Sequence, residues 1–339
     1  MIPSAILMAS LVSEADATAF FRRTEAAYRL PNGLWSEALD HGKPVSQPAF
    51  NWSVGVVLSA YASAAELDPT LRPGLVQFAD AVHVYWNDAG PVAGYDVLPA
   101  PKPVDRYYDD NAWMVMALVE TYEVTRETRF LDRAEASLRY VLSGEDDVLD
   151  GGIYWRESDK ASKNTCSNAP AAAACLAVAK YRNAAALRAK ATALYAWCRT
   201  KLRDPSDGLY WDSIDRAGRV ETTKWSYNSA LMLRTARELG LAEADELAKA
   251  AYRKWVEPET HLVRDEAQFA HLLYENLIPH RRALGWDPGK ALAGIRANPD
   301  GWYPKRWDAT TFGNERRELI HQVSYARATH VWARTQTSR

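Results

Sequence analysis

The sequence predicts an all-α fold: an (α/α)6 barrel of six helical hairpins with aromatic loops gathered at one end. Three observations carry this reading. Six runs of small and apolar residues with helical period open on an amide residue: Asn51, Asn111, Asn168, Asn228, Gln268 and Gln322. More highly charged, amphipathic segments alternate with those runs. The connections repeat a glycine-aromatic theme, in Asn32-Gly33-Leu34-Trp35, Gly94-Tyr95-Asp96, Gly151-Gly152-Ile153-Tyr154-Trp155, Asp207-Gly208-Leu209-Tyr210-Trp211 and Asp300-Gly301-Trp302-Tyr303.

The charged segment Glu14–Arg29 is the first outer helix. The apolar stretch Ile2–Val12 reads as its beginning: Ala15-Asp16-Ala17 has the look of a cleavage site, but no basic segment precedes the stretch, as an export signal requires. Asn51–Leu67 is the first inner helix, apolar nearly all round and therefore buried. Leu71–Trp86 returns as an outer helix, and Asp109–Thr125 is the next inner one. Arg129–Leu142 is outer. The run from Asn168 to about Tyr181 is inner, its alanines suited to a crowded interior. Ala184–Leu202, Ala242–Val256 and Pro288–Ala297 are the remaining outer helices. They alternate with inner runs from Asn228 to Leu239, from Gln268 and from Gln322. Each glycine-aromatic connection follows an outer helix and precedes an inner one, so the inner N-termini converge on the same end. An open solenoid uses short, near-identical repeats with polar caps. Six long units, mostly about 55–60 residues each, favour closure instead. The expectation is one domain over residues 1–339 with a central funnel.

Composition narrows the function classes. With 41 basic against 43 acidic residues and a net charge of −2, there is no basic run to track phosphates, which argues against a nucleic-acid partner. Cys166, Cys175 and Cys198 make an odd number without CxxC spacing, so neither a disulfide framework nor a zinc site is indicated. No metal or cofactor is called for, and no apolar run reaches the roughly 20 residues that span a bilayer. The compartment stays open. The 13 Trp and 17 Tyr are abundant, and many sit beside Gly and Asp, as in loops that bind something flat.

Within Tyr107-Tyr108-Asp109-Asp110-Asn111-Ala112-Trp113, two adjacent carboxylates stand at the start of an inner helix, the fourth helix of the chain. Alone, such a pair reads as a helix cap and a first-turn acid favoured by the dipole. At the mouth of an aromatic funnel it fits the hydrolysis of a glycosidic bond, which needs one carboxyl to attack or activate water and one to protonate the leaving oxygen. Consecutive helical residues diverge by about 100°, so the two can flank a bond at close range. Retaining enzymes hold their carboxyls about 5–5.5 Å apart and inverting ones about 6.5–9.5 Å, which favours double displacement here. Asp109 is expected to be charged, and Asp110 to hold a proton beside it.

The run Tyr108–Trp113 resembles the Asp-Asp motif of glycoside hydrolase family 76, the endo-α-1,6-mannanases. Gly151-Gly152-Ile153-Tyr154-Trp155 is similar to that family's Gly-Gly-Ile-Trp-Trp loop. Lys163-Asn164-Thr165-Cys166-Ser167-Asn168 is similar to its Lys-Asn-x-x-Ser-Asn run, and Trp225-Ser226-Tyr227-Asn228 to its Trp-Thr-Tyr-Asn-Gln segment. The resemblance implies an (α/α)6 barrel that cleaves α-1,6-linked mannose with retention, with Asp109 as nucleophile and Asp110 as acid/base. It also implies that Asn164, Asn168 and Asn228 orient the sugar or the carboxylates, and that Trp113, Tyr154, Trp155, Trp225 and Tyr227 wall the subsites. Ser229 in place of Gln, Tyr154 in place of Trp, and Arg156 depart from the pattern at what would be the sugar-facing end. Asp96, Glu157, Asp212, Asp215 and Asp308 are alternative second carboxylates. The implied partner is a mannose-containing oligo- or polysaccharide, met by a monomer.

Other functions fit the same barrel. A transglycosidase would use the same carboxylates. A sugar epimerase would use histidines on inner helices, where His271 and His321 fall, titrating near neutrality. A carbohydrate-binding protein would keep the aromatic funnel and discard a carboxylate, yet both are present.

Overall fold

The computed structural model describes residues 13–99, 104–311, 313 and 316–337. The stretch Ile2–Val12, expected to begin the first helix, lies outside them. The chain then alternates between two layers. The outer helices are α1 (Glu14–Tyr28), α3 (Arg72–Ala81), α5 (Thr128–Leu142), α7 (Ala184–Lys201), α9 (Ala244–Trp255) and α12 (Pro288–Gly294). The inner ones are α2 (Asn51–Leu67), α4 (Tyr108–Thr125), α6 (Thr165–Ala179), α8 (Ser226–Leu239), α10 (Ala267–Leu277) and α13 (Leu319–Thr337). Each inner helix packs on the next in chain order, and α13 packs back on α2. The inner layer is therefore a closed ring, and the fold is the expected (α/α)6 barrel.

Residue character explains the layers. All fifteen residues of α6 are buried, and the six consecutive residues 169–174 are all alanine or proline. Such small side chains let a helix sit against neighbours on every side. Gly55 plays this part on α2, where an added Cβ would lie 3.2 Å from the Trp113 Cβ of α4. The outer α5 buries only one stripe, including Phe130, Leu131, Ala134, Leu138 and Val141, and turns its charges outward.

Two outer helices are shorter than the sequence predicts. The Leu71–Trp86 segment is regular only over α3 and tightens into a 3-10 turn, Val82–Tyr85, before Trp86 enters a strand. The Pro288–Ala297 segment stops at Gly294. An unexpected single turn, α11 (Arg281–Leu284), precedes it and is ended by Gly285 in the left-handed region.

The inner helices lack side-chain N-caps at α2, α4, α6, α8 and α10. Their first N–H groups are satisfied by the next loop around the ring. Asn51 N–H donates to Val97 O (3.0 Å), Tyr108 to Trp155 O (2.9 Å), Thr165 to Asp212 O (2.8 Å), Ala267 to Lys305 O (2.7 Å) and Leu319 to Glu37 O (2.8 Å). Ser226 N–H donates to the Asp265 carboxylate at 3.3 Å. Six capping contacts thus form a circle that ties every loop of the mouth to its neighbour.

Short strands reinforce the circle. β1 (Ala38–Asp40) pairs with β2 (Lys43–Pro44) and with β8 (Arg317–Glu318), joining the first loop to the last. β3 (Trp86–Asn87) pairs with β4 (Gly94–Tyr95). β5 (Ser162–Asn164) pairs with β6 (Ser213–Asp215), which pairs with β7 (Val220–Glu221).

The opposite end is closed by charge. The Arg327 guanidinium of α13 takes both oxygens of Glu120 on α4 (2.9 and 3.0 Å) and reaches Glu275 on α10 (3.0 Å), the Ser59 carbonyl (2.8 Å) and the Ser63 hydroxyl. Among the described residues no helix is long and apolar enough to cross a membrane.

Candidate active site

The second residue of each inner helix, taken around the ring, is Trp52, Asp109, Cys166, Tyr227, Gln268 and Ile320. This position is turned to the lumen. Asp109 neighbours the Cys166 thiol, which in turn neighbours the Tyr227 hydroxyl. Trp52 and Tyr227, on opposite sides of the ring, have ring centroids 6.4 Å apart.

The two aspartates are treated differently by their surroundings. Both are partly accessible through the mouth yet closely surrounded, and burial raises both carboxyls above the ordinary range. For Asp109 that rise is opposed by donors: the Asp110 N–H at 3.0 Å on one oxygen and the Trp155 indole N–H at 3.0 Å on the other. For Asp110 no donor among the described residues opposes it. The charges of Asp109 and Asp105 push its carboxyl further up, well above the usual range. Hydrogen bonds to the charged form favour it, and like charges disfavour it. The surroundings therefore favour charge on Asp109 and a proton on Asp110.

A third carboxyl, Asp212, lies at the start of β6's loop. Burial and Glu221 raise it, while Ser213, Asn228 and Trp225 beside it hold it down. The Asn228 amide is wholly buried without a hydrogen bond of ordinary geometry. The other candidate carboxylates are spent elsewhere. Asp96 accepts from the Asn87 amide, Glu157 pairs with Arg106, Asp215 with Arg219 and Asp308 with Arg306.

The aromatic wall lies across the lumen from the pair. Phe269 of α10 stacks on Tyr227 (4.5 Å between centroids, 12° between planes) and on Trp52 (5.8 Å), with Trp225 tilted against it at 5.4 Å. All four rings are half-buried. On the near side Trp155 is 41 % exposed and packs edge-on against Tyr107. Trp113 sits one turn deeper, packed toward Gly55 and largely buried. Asn164 accepts from the Ser162 hydroxyl at 2.6 Å.

Two expected sugar contacts are corrected by the geometry. Asn168 is fully buried and clamps a loop: its amide nitrogen donates to Ile153 O and Asn164 O, and its oxygen accepts from Ile153 N–H at 2.7 Å. Tyr154 is also fully buried, turned away from the lumen so that its hydroxyl donates to Asp146 at 3.0 Å and accepts from Arg216.

The Asn168 clamp recurs around the ring. Asn111 holds Tyr95, Ser229 accepts from Tyr210 N–H and Gln322 holds Tyr303, each from the fourth residue of its inner helix. Ser229 is therefore a short clamp, not a sugar-facing departure. Arg156 folds back onto Asp105 at 2.8 Å and over the Tyr107 ring.

Trp52 and Phe269 were not expected. Aligning the repeats on the amide residues hides them, because Asn51 and Asn228 are the first and third residues of their helices whereas Asn111 and Asn168 are fourth. Aligning on the first capped N–H would have placed Trp52 level with Asp109 and Phe269 level with Asp110.

The chain is similar to known proteins in both sequence and fold. The model of glycosyl hydrolase family 76 matches residues 28–277. No curated protein sequence matches the chain. A GH76 α-mannanase from Bacteroides thetaiotaomicron superposes with a TM-score of 0.86 at 25% identity, covering 96% of this chain and 98% of that one. An inactive variant of the α-1,6-mannanase GH76A of Salegentibacter sp. HEL1_6, with two consecutive aspartates changed to asparagine and α-1,6-mannotriose bound, shares the fold. Its TM-score is 0.77 at 19% identity, over 95% of this chain and 99% of that one. A cellobiose 2-epimerase from Bacillus thermoamylovorans is more distant, with a TM-score of 0.67 at 12% identity over 92% and 98%. With the family model matched over most of its length and α-mannanases sharing its fold, the chain belongs to glycosyl hydrolase family 76 and is a glycoside hydrolase.

Proposed function

We propose that this enzyme hydrolyses α-1,6-mannosidic linkages with retention, acting as a monomer on mannose-containing oligo- or polysaccharides. The observation that carries the mechanism is the unequal hydrogen bonding of the pair. Asp109, oriented by Trp155 and the Asp110 N–H, has a free electron pair to attack the anomeric carbon. The glycosidic C–O bond breaks, and the Asp110 proton goes to the leaving oxygen. Water then attacks the glycosyl ester, returns a proton to Asp110 and releases Asp109 as carboxylate. Tyr227, Trp225, Trp52 and Phe269 offer flat faces for the C–H surfaces of the sugar rings, while Asn228 and Asp212 offer polar atoms for hydroxyls. The linkage is supported by the mannotriose complex of the Salegentibacter enzyme.

The epimerase reading is poorly served. Burial lowers both His271 and His321 to about 4, and the His271 ring Nδ1 is engaged with the Ala267 carbonyl. Neither is poised for acid/base work near neutrality.

The test is to incubate wild type, Asp109→Asn and Asp110→Asn with a panel of α-mannans and follow product anomers by NMR. The expected outcome is α-mannose appearing first from wild type on α-1,6-linked substrate. Each variant should lose on the order of 10³-fold or more in kcat. Retained activity in both variants, or initial release of β-mannose, would overturn the mechanism.

A further inference from the structure

The segment that brings Trp155 to Asp109 is unusual. Leu149 (φ 60°), Asp150 (φ 63°), Gly151 (φ 110°) and Gly152 (φ 81°) are four consecutive residues with positive φ. For Leu149 and Asp150 this is the left-handed region, which a side chain adopts only when its surroundings compel it. At Gly152 glycine is required twice over, since an added Cβ would lie 2.5 Å from the Trp197 ring.

Lys163 supplies the compulsion. Its side chain is fully buried. Its ammonium faces four oxygens: Asp146 Oδ1 (2.6 Å), Asp146 O (3.2 Å), Val148 O (2.6 Å) and Gly151 O (2.7 Å). Three backbone carbonyls and one carboxylate make a donor set like that of a small hard cation, here filled by a side chain. The carbonyls of Val148 and Gly151 flank the left-handed Leu149 and Asp150 on either side. Trp197 Nε1 adds a bond to Leu149 O at 2.9 Å. Lys163 also lies 4.6 Å over the Tyr154 ring and pairs with Tyr154 across an antiparallel bridge. Trp155 N–H donates to the carbonyl of the preceding residue, Ser162. The hub therefore holds both strands that flank the indole.

We propose that Lys163 is a positioning residue for catalysis: its ammonium pins the left-handed segment 149–152 so that Trp155 keeps its hydrogen bond to the nucleophile Asp109. This rests on the retaining-hydrolase reading above. Lys163 itself touches neither Asp109 nor the lumen, so its effect travels through the loop. The groups that face Asp109 directly are Asp110 and Tyr107 beside it in sequence, Trp155 from the loop, Cys166 from α6 and Tyr227 from α8. Of these, Trp155 is the one that Lys163 controls, and its hydrogen bond holds the Asp109 carboxyl down.

The readout is the acid limb of kcat/KM, which follows Asp109 in the free enzyme. Trp155→Phe removes the hydrogen bond and should move that limb up by about one pH unit, the size that a hydrogen bond to a charged group carries. Lys163→Met should move it in the same direction. The double variant should move it no further than the larger single, because both act through one bond. A merely structural lysine would lower the folded fraction and leave the limb in place. If Lys163→Met does not fold, Trp197→Phe, which loosens the same run at Leu149, decides with a smaller shift of the same sign. An unmoved limb in Lys163→Met, or in Trp197→Phe where that is the variant that folds, beside a shifted limb in Trp155→Phe, overturns the inference while the hydrolase reading stands, and so does an unmoved limb in Trp155→Phe. Wild-type enzyme that leaves α-mannans intact overturns the hydrolase reading instead.

Discussion

The two ends of the barrel bury carboxylates in opposite ways. At the mouth, Asp109 and Asp110 are closely surrounded, and among the described residues no cation pairs with them. Burial drives both carboxyls up. At the far end, burial would raise Glu275 too, but the Arg327 guanidinium and His271 more than offset it and the carboxyl falls below its ordinary range. Glu120 shares the same arginine at 2.9 Å. The same helices contribute to both places, since α4 carries Asp109 and Glu120. Burial alone therefore does not mark a functional acid. What marks it is burial left without a counter-ion, which costs stability and leaves a proton to be exchanged.

That contrast breaks most visibly if Arg327 is removed. Arg327→Met would leave Glu120 and Glu275 buried without their partner, a loss of about 3–5 kcal/mol for a broken buried ion pair. Chemical denaturation should show this as a lower midpoint with little change in slope. Activity per folded molecule should stay at the wild-type level, because the arginine stands at the end away from the lumenal aspartates. A variant as stable as wild type would mean that the far-end network is solvated in practice and the two ends are not opposites.

Much of this contrast was invisible in the sequence. The six inner runs and the Asp109-Asp110 pair could be read because they are local: a helical period, and two acids side by side. The network at the far end unites residues from α4, α10 and α13, and no spacing announces it. Motifs also told which segments gather at the mouth without telling which way each side chain turns. Asn168 and Tyr154 stand in the right segments, yet their side chains are spent on Ile153 and Asp146. Trp52 and Phe269 went unread for the complementary reason: no motif surrounds them, and only the register of the first capped turn brings them level with the aspartates.

The finer prediction concerns sign. In the folded enzyme Asp110 keeps its proton to a higher pH than in the unfolded chain, where an aspartate titrates near 4. The folded state then binds more protons than the unfolded one over that interval, so stability falls as pH rises from about 4 through the raised value. Asp110→Asn removes the titration. Its melting temperature should match wild type near pH 4 and exceed it at pH 8. The gap should be a few degrees, given about 2–4 °C per kcal/mol for domains of 150–250 residues. Glu275 has a lowered carboxyl, so its contribution is present above the ordinary glutamate range and is lost as pH falls through its depressed value. Glu275→Gln should accordingly lower the melting temperature at pH 8 and approach wild type in acid. Opposite pH slopes for the two neutralising substitutions, read by calorimetry on the same pH series, would place the mouth and the far end on opposite sides of one ledger. Parallel slopes would mean that Asp110 is already ionised at neutrality, and the acid of the proposed mechanism would have to be sought at Asp212.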